Sequence, residues 1–563
     1  MATGVMGYGE RVSTVALSAR HGSVEPLRKR TRRRLMAGIV GVVLTFGCSV
    51  SDPATPPLIG APQEPNQSGE QAETDAVVAQ ALDGTTTIVV GHRFTGPYFL
   101  NNEPGQNPDI FYGPNTADGV VFRRGSSIMG RSFSTNGGFA WQAPGKIYPE
   151  FGFGDPVALL WSDPALAVGY ANKSLVAYAS LAVSKQSFDA VTSGTDAQDL
   201  LFGWPPDVDT PDGQGIVDSV CVALSFDGGL QFQDVVCARD ADVGIVGTDQ
   251  TTAAIGRGDR VYVAVDDFSD DEILLYELIY LGVPAPFLNK IPVDPLMGSA
   301  SHGPELRRDQ SGEVWMSGTD AFGTVKLCRV TDQSCEFVGN VTSNVDLFAI
   351  LPAGVASPQT LRSGSSADFA VNRVVAAELM LREFIFAYSR TGNPTLGPYV
   401  GLTRCVLASL SGALTCEDVD EWGTLARLGM QLQPNIDLVD KSEAQDGFGA
   451  DWRYAFYEFD RPEIGNGRAQ IALATLSGTL PSAISPTVTF QPLGAPDPLV
   501  CPARYPSGDY WGDYFALVAV PPIPTNPNWR HVAVYSSDES RGCESSHPRQ
   551  GRNLHVVSWG WVD

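Results

Sequence analysis

Histidine is scarce in this 563-residue chain, with six in all. Five of them, at 92, 302, 531, 547 and 555, follow the N-terminal segment without metal-ligand spacing. No Cys-x-x-Cys occurs, so zinc and thioredoxin-type chemistry lack their ligands. Gly-x-Ser-x-Gly, His-Glu-x-x-His, a P-loop and a dinucleotide fingerprint are missing too. Convincing amphipathic helical patterns are rare, which argues against a helical or α/β domain. Positive charge is the other deficit: 38 Lys and Arg against 63 Asp and Glu give −25. The first 48 residues carry eight Lys/Arg against two Asp/Glu, so the remainder stands at −31. Such a surface repels phosphate backbones and excludes nucleic acid as a natural partner.

What basic charge there is clusters at "RKRTRRR", 28–34, followed by the thirteen-residue uncharged run "LMAGIVGVVLTFG" and Cys48. A basic n-region, a short apolar h-region and a small residue before a cysteine form an export signal. The run rises only about 20 Å as a helix, too short to cross a bilayer core comfortably. Its Gly-Cys end resembles a bacterial lipoprotein signal, which implies that residues 1–48 are removed or lipidated at Cys48. Thr45 stands where that family prefers Leu, and ordinary secretion is the alternative. Eight cysteines then remain, an even number. They allow 105 connectivities; pairing in order, Cys221–Cys237, Cys328–Cys335, Cys405–Cys416 and Cys501–Cys543, closes three short loops across hairpins. In an oxidising compartment each such bridge is worth roughly 2–4 kcal/mol. The expected location is the cell envelope or surface by a lipid anchor, or outside the cell. The membrane is touched only through the N-terminal lipid, and the expected state is a monomer.

Residues 49–84, rich in Pro, Gln, Glu and Ala, read as a disordered tether. From Thr85 to Asp563 short β-branched and aromatic runs alternate with Gly/Pro/Asp/Asn clusters, an all-β texture. Inner-strand candidates begin near Thr85, Asp163, Asp249, Pro304, Ala367, Pro434 and Asp509. Their spacing suits four-stranded β-propeller blades in one domain, 85–563. Seven blades are favoured, and six is the alternative if one blade is split between the termini.

Two octets carry a sharper signal. "STNGGFAW" (Ser134, Asn136, Gly137, Gly138, Trp141) and "SFDGGLQF" (Ser225, Asp227, Gly228, Gly229, Phe232) share Ser-x-(Asp/Asn)-Gly-Gly-x-x-aromatic. The carboxamide or carboxylate caps the turn, the glycines permit positive φ and the aromatic anchors it. The pattern resembles the Asp-box, or BNR repeat, of sialidase-like β-propellers. That resemblance implies a carbohydrate-active or carbohydrate-binding propeller. Sialidases of that family use an arginine triad, a Tyr/Glu nucleophile pair and an Asp acid/base, a departure from the usual two-carboxylate scheme. Their Arg-Ile-Pro motif is missing here. Arg93 in "GHRFTG" is the nearest position, with Arg307, Arg308, Arg373 and Arg504 as further arginines. Asp163 is a further catalytic candidate with no role assigned, and Tyr388, Tyr457 or Tyr514 the candidate nucleophile; no catalytic set is assigned. A glycosidase built on paired carboxylates is an alternative chemistry.

Acidic and aromatic residues at inner-strand starts are the ligand-binding candidates: Asp163, Asp249, Glu305, Asn435, Asp509, Trp511 and Asp513. A ring of acids could hold sugar hydroxyls or a cation; Asp before a strand is equally a turn cap. The long insertion 185–219 contains Asp207, Asp209, Asp212 and Asp218, which approach a calcium loop without matching the EF-hand spacing. No cofactor is required, and Ca²⁺ is the one ion suggested. The expected partner is a glycan or another surface protein. "GRGD" (256–259) reads as a strand-joining turn rather than an adhesion motif.

Overall fold

In the computed structural model the described residues are 58–59, 70–95, 129–138, 163–184, 219–239, 248–267, 272–283, 285–298, 301–343, 367–376, 379–390, 399–408, 412–418, 430–439, 450–459, 469–478, 489–492, 516–523, 530–537 and 553–560, with residue 345 and short pieces between 110 and 160. The chain divides at Ala54/Thr55, and every described element lies in the second unit.

The strands follow in chain order. First come β1 (Leu58–Ile59), β2 (Glu70–Gln80), β3 (Thr86–Thr95), β4 (Ile110–Tyr112), β5 (Val121–Arg123), β6 (Ser126–Ser127), β7 (Met129–Ser134) and β8 (Gly145–Lys146). Next are β9 (Val157–Leu160), β10 (Ala165–Val168), β11 (Val176–Ser184), β12 (Ser219–Ser225) and β13 (Gln233–Arg239). Then come β14 (Thr248–Ile255), β15 (Val261–Asp267), β16 (Glu272–Ile279), β17 (Phe287–Ile291), a short helix α1 (Pro295–Gly298), β18 (Ser301–Arg308), β19 (Val314–Asp320), β20 (Val325–Val330) and β21 (Cys335–Thr342). The rest are β22 (Asp368–Ala376), β23 (Leu379–Arg390), β24 (Tyr399–Ala408), β25 (Leu414–Asp418), β26 (Met430–Val439), β27 (Ala450–Phe459), β28 (Ala469–Gly478), β29 (Thr489–Pro492), β30 (Ala516–Val520), β31 (Arg530–Ser537) and β32 (Asn553–Gly560).

They form antiparallel meanders: β2-β3-β7-β8, β14-β15-β16-β17, β18-β19-β20-β21, β22-β23-β24-β25 and β26-β27-β28-β29. A further sheet runs β10-β11-β12-β13, with β9 and β6 added beside β11. The last is ordered β30-β31-β32-β1, so an N-terminal strand supplies its outer edge. Inner strands neighbour one another in the order β2, β10, β14, β18, β22, β26, β30 and back to β2. Sheets that meet only their chain neighbours, with the last meeting the first, make an all-β propeller.

The sheets hold together by burying both faces. In "VYVAVDD" (β15) every residue is buried. Val261, Val263 and Val265 pack with the β10–β13 sheet, while Tyr262 and Ala264 pack with the β18–β21 sheet. Period-2 alternation thus feeds two apolar layers at once, which explains the continuous apolar run. Trp315, Phe369, Phe384 and Phe386 fill the next layer, and Ile88, Val90, Val532 and Val534 join the first and last sheets.

One expectation needs correction. The stretch assigned to a tether, 49–84, contains β2, and the strand starting near Thr85 is the second of its sheet rather than the inner one. Ala76 and Ala79 of β2 are buried. Small apolar residues suffice at a crowded axis, and averaging over neighbouring Gln, Glu and Pro hid their pattern.

Three expected disulfides are present, Cys221–Cys237, Cys328–Cys335 and Cys405–Cys416, each joining the third and fourth strands of a sheet. Cys501 and Cys543 lie outside the described residues.

The two octets adopt one geometry. Ser134 Oγ and Ser225 Oγ accept from the amides of Gly138 (2.8 Å) and Gly229 (2.9 Å). Both hydroxyls donate to the third residue, Asn136 at 2.9 Å and Asp227 at 2.7 Å. Those oxygens in turn accept from the amides of Ala140 and Gln231, each at 2.9 Å. All four glycines have positive φ. The second octet also binds its own sheet and the preceding one. Within its sheet the Gly228 amide donates to Ser174 O and Phe232 packs against Tyr178; from the preceding sheet Thr87 Oγ1 donates to the Gly228 carbonyl and Arg131 covers the Phe232 ring. The octets are therefore fasteners between blades as well as within hairpins.

The "GRGD" turn is a fastener too. Asp259 accepts from the amides of Ala171 and Asn172, and Arg257 donates to Ser311 O at 3.0 Å. Three successive sheets meet there, and both charged ends of the tripeptide are engaged.

Candidate functional site

An inner strand is a sheet edge, so its backbone N–H groups face the axis without ladder partners. Acidic side chains within the same strands answer them. Asp75 Oδ2 (β2) accepts from the Leu166 amide at 2.5 Å, Asp368 Oδ2 (β22) from Ile436 at 2.7 Å, and Asp437 Oδ2 (β26) from Ala519 at 2.5 Å. Each donor belongs to the next inner strand around the ring. Thr252 Oγ1 (β14) does the same for Leu306 at 3.1 Å.

Into this girdle projects Arg307 of β18. Its guanidinium meets Glu305 Oε2 at 3.2 Å and Asp368 Oδ1 at 2.5 Å. It also feels Asp75 and Asp437, which stand on non-adjacent inner strands, so these charges converge on the axis. Burial opposes the guanidinium charge, but Asp368, Glu305, Asp75 and Asp437 outweigh it and raise its pKa. Burial pushes Glu305 up to about 8 against the pull of Arg307, with Asp368 and Asp75 adding to the rise. Burial likewise lifts Asp75 to about 6, against the amides it accepts from and Arg307, and raises Asp368 despite the same kind of partners. At neutral pH Glu305 therefore holds a proton beside the Arg307 guanidinium, with the Asp368 carboxyl group on the guanidinium's other side. The Arg307 and Glu305 side chains keep 31% and 21% of their surface accessible, whereas Asp368 keeps 5%. A protonated carboxyl, a guanidinium and a second carboxyl group can recognise vicinal hydroxyls, and two carboxyl groups are also the elements of acid/base chemistry.

The other expected residues scatter. Asp163 is buried just before β10 with φ +54°. Asp249 lies in β14 opposite Asp266, Arg93 in β3 opposite Ala72, and Arg373 in β22 opposite Arg382; their side chains are outside the described part. Arg308 is committed to the carbonyls of Val168 and Ile255. Tyr388 is buried in β23 and bonded to Thr403 at 3.0 Å, and burial raises its pKa, so it is a packing phenol rather than a nucleophile. Asn435 pairs with Ala455 and Tyr457 with Leu432, their side chains undescribed. Arg504, Asp509, Trp511, Asp513 and Tyr514 lie outside the described residues, as do Asp207, Asp209, Asp212 and Asp218 of the calcium reading. Among the described residues no group of three His, Cys, Asp or Glu is arranged to hold a metal ion.

Sequence reasoning missed Asp75, Asp368 and Asp437. Their signal was present: "TDAVV", "ADFAV" and "IDLV" each set one aspartate inside an apolar strand. A carboxylate there is tolerated only with hydrogen-bond partners.

No family model matches the chain, and no curated protein matches it. Solved structures similar to it include a Hadza microbial sialidase, with 13% identity over 69% of this chain and TM-score 0.36; the chain spans 64% of that protein's length. The intramolecular trans-sialidase from Ruminococcus gnavus is 10% identical over 77% of this chain and 96% of that one, TM-score 0.37. The six-bladed fucose-recognising lectin of Aleuria aurantia is 8% identical over 74% and 96%, TM-score 0.32.

Proposed function

We propose that this chain is an exported, seven-bladed, sialidase-like propeller, anchored by lipid at Cys48, that binds or hydrolyses glycans at its open face. The two octets are its Asp-boxes, and it works as a monomer. The observation that carries the glycan reading is the axial group of Glu305, Arg307 and Asp368. A protonated carboxyl and a guanidinium, both reached by solvent, stand within a few ångströms of a second, buried carboxyl group. In a hydrolytic version Glu305 gives its proton to the leaving sugar oxygen as the glycosidic C–O bond breaks, water forms the new bond to the anomeric carbon, and Asp368 in its ionised form takes that water's proton. Seven blades are supported by the order in which the inner strands neighbour one another.

A second reading, a non-catalytic interaction or structural module, is favoured by a different observation. Asp75, Asp368 and Asp437 already serve backbone amides, and Arg308 and Tyr388 are engaged in packing. The exported chain, signal removed, is tested on a glycan array and with fluorogenic sialosides and neutral glycosides. Turnover lost in Glu305→Gln supports hydrolysis. Binding without turnover supports the lectin-like form. Neither binding nor turnover sinks the glycan reading and leaves the interaction module.

A further inference from the structure

Among the described residues, one end of the propeller carries a cluster of exposed apolar side chains, and strand β1 begins at that end. In each sheet the turn from first to second strand and the turn from third to fourth lie at one end. Leu82 sits in the β2–β3 turn, Phe226 in the β12–β13 turn and Leu281 in the β16–β17 turn, and Phe287 opens β17. All four are exposed, Leu82 at 78%. They span three adjacent sheets, and Phe226 rests on Tyr280, 6.4 Å between ring centroids. At the other end, the exposed large apolar side chains among the described residues are Leu296 on α1 and Phe322 in the β19–β20 turn.

Leu58 pairs with Gly560, which faces Arg530, the first residue of β31. Strand β1 therefore enters from the end that carries Leu82, Phe226 and Leu281, in the sheet next to β2. Cys48 is ten residues earlier in the chain. Ten extended residues reach at most about 36 Å, so a lipid on Cys48 keeps the bilayer within reach of this end. Asp83, Asp227 and Asp259 stand among the same turns, which favours a zwitterionic over an anionic lipid surface.

We propose that the end bearing Leu82, Phe226, Leu281 and Phe287 rests on a zwitterionic lipid surface, with the opposite end presented outward. This inference rests on the reading that Cys48 is lipidated. Mass spectrometry of the N-terminal peptide of the exported chain reads that premise first; a lipid-free Cys48 removes the anchor and overturns the orientation, leaving the glycan assays unaffected. The lipidated chain in dioleoylphosphatidylcholine vesicles is then compared by hydrogen exchange with the Cys48→Ser exported chain in solution. Amide exchange at residues 81–85, 226–232 and 280–287 should slow at least fivefold on vesicles, with residues 320–324 unchanged. Combined Leu82→Ser, Phe226→Ser and Leu281→Ser should abolish that slowing while the melting temperature holds. Lipid on Cys48 with no slowing at these turns, or with slowing at 320–324 instead, overturns the proposal.

Discussion

Replacing Glu305 by Gln should remove a specific piece of the protein's pH dependence. The folded carboxyl titrates near 8, against an ordinary value of 4.5, because burial penalises its charge. The folded state therefore keeps a proton that the unfolded chain has already lost, unfolding releases it, and raising the pH favours unfolding. This contribution is absent below pH 4.5 and complete above pH 8. Unscreened, the rise would weaken the fold by about 5 kcal/mol across that window. Solvent reaches 21% of the Glu305 side chain and 31% of Arg307, and screening reduces the figure to about 1–2 kcal/mol. Asp75, at about 6, acts in the same direction but is nearly spent by pH 7. Guanidinium unfolding midpoints at pH 5, 6, 7 and 8 separate the two. Wild type should lose about 0.5–1 kcal/mol between pH 6 and 8, and Glu305→Gln should be flat there while keeping the Asp75 slope below pH 6. Parallel curves, or a wild type that gains stability from pH 6 to 8, would refute the half-buried, proton-holding Glu305.

Gly229→Ala places a Cβ 2.3 Å from Val89 Cγ2 at φ +85°, and should lower stability by about 2–4 kcal/mol in thermal unfolding. Gly282→Ala, with φ +73° and open space, should cost only about 1 kcal/mol. Asp259→Ala leaves the amides of Ala171 and Asn172 without their acceptor; a loss of about 1–2 kcal/mol is expected in denaturant titration. Converting both Cys405 and Cys416 to Ser opens a cross-strand bridge of separation 11, and should cost about 2–3 kcal/mol by the same measurement. The double variant matching wild type would assign that stability to packing alone.

The propeller was legible because its signals are local and repeated. "STNGGFAW" and "SFDGGLQF" specify a turn whose side-chain capping bonds run within each octet. The in-order cysteine pairs follow from hairpins, which bring chain neighbours together. Strand β2 was illegible because its burial comes from sheets far along the chain: Thr74 bonds to Val534. The axial group escaped for the same reason. Arg307 meets Asp368, 61 positions away, and composition does not reveal which arginine turns to the axis. Glu305 was found as a strand residue, while its proton-holding state follows only from burial.

The smallest element has the largest consequence for assembly. Strand β1 is two residues long and completes a sheet whose other members lie about 500 residues later. Early blades can stack on their chain neighbours as they form, but the closing pair must wait for β32. The fold therefore behaves as a clasped chain of blades, in which the last contact has the greatest sequence separation and the slowest search. Until it forms, the outer edge of β32 is an unoccupied template. A second copy offering its own Leu58–Ile59 fits that edge as well as the native segment does. The clasp thus bears on whether concentrated, newly made chains finish as separate rings or as exchanged pairs.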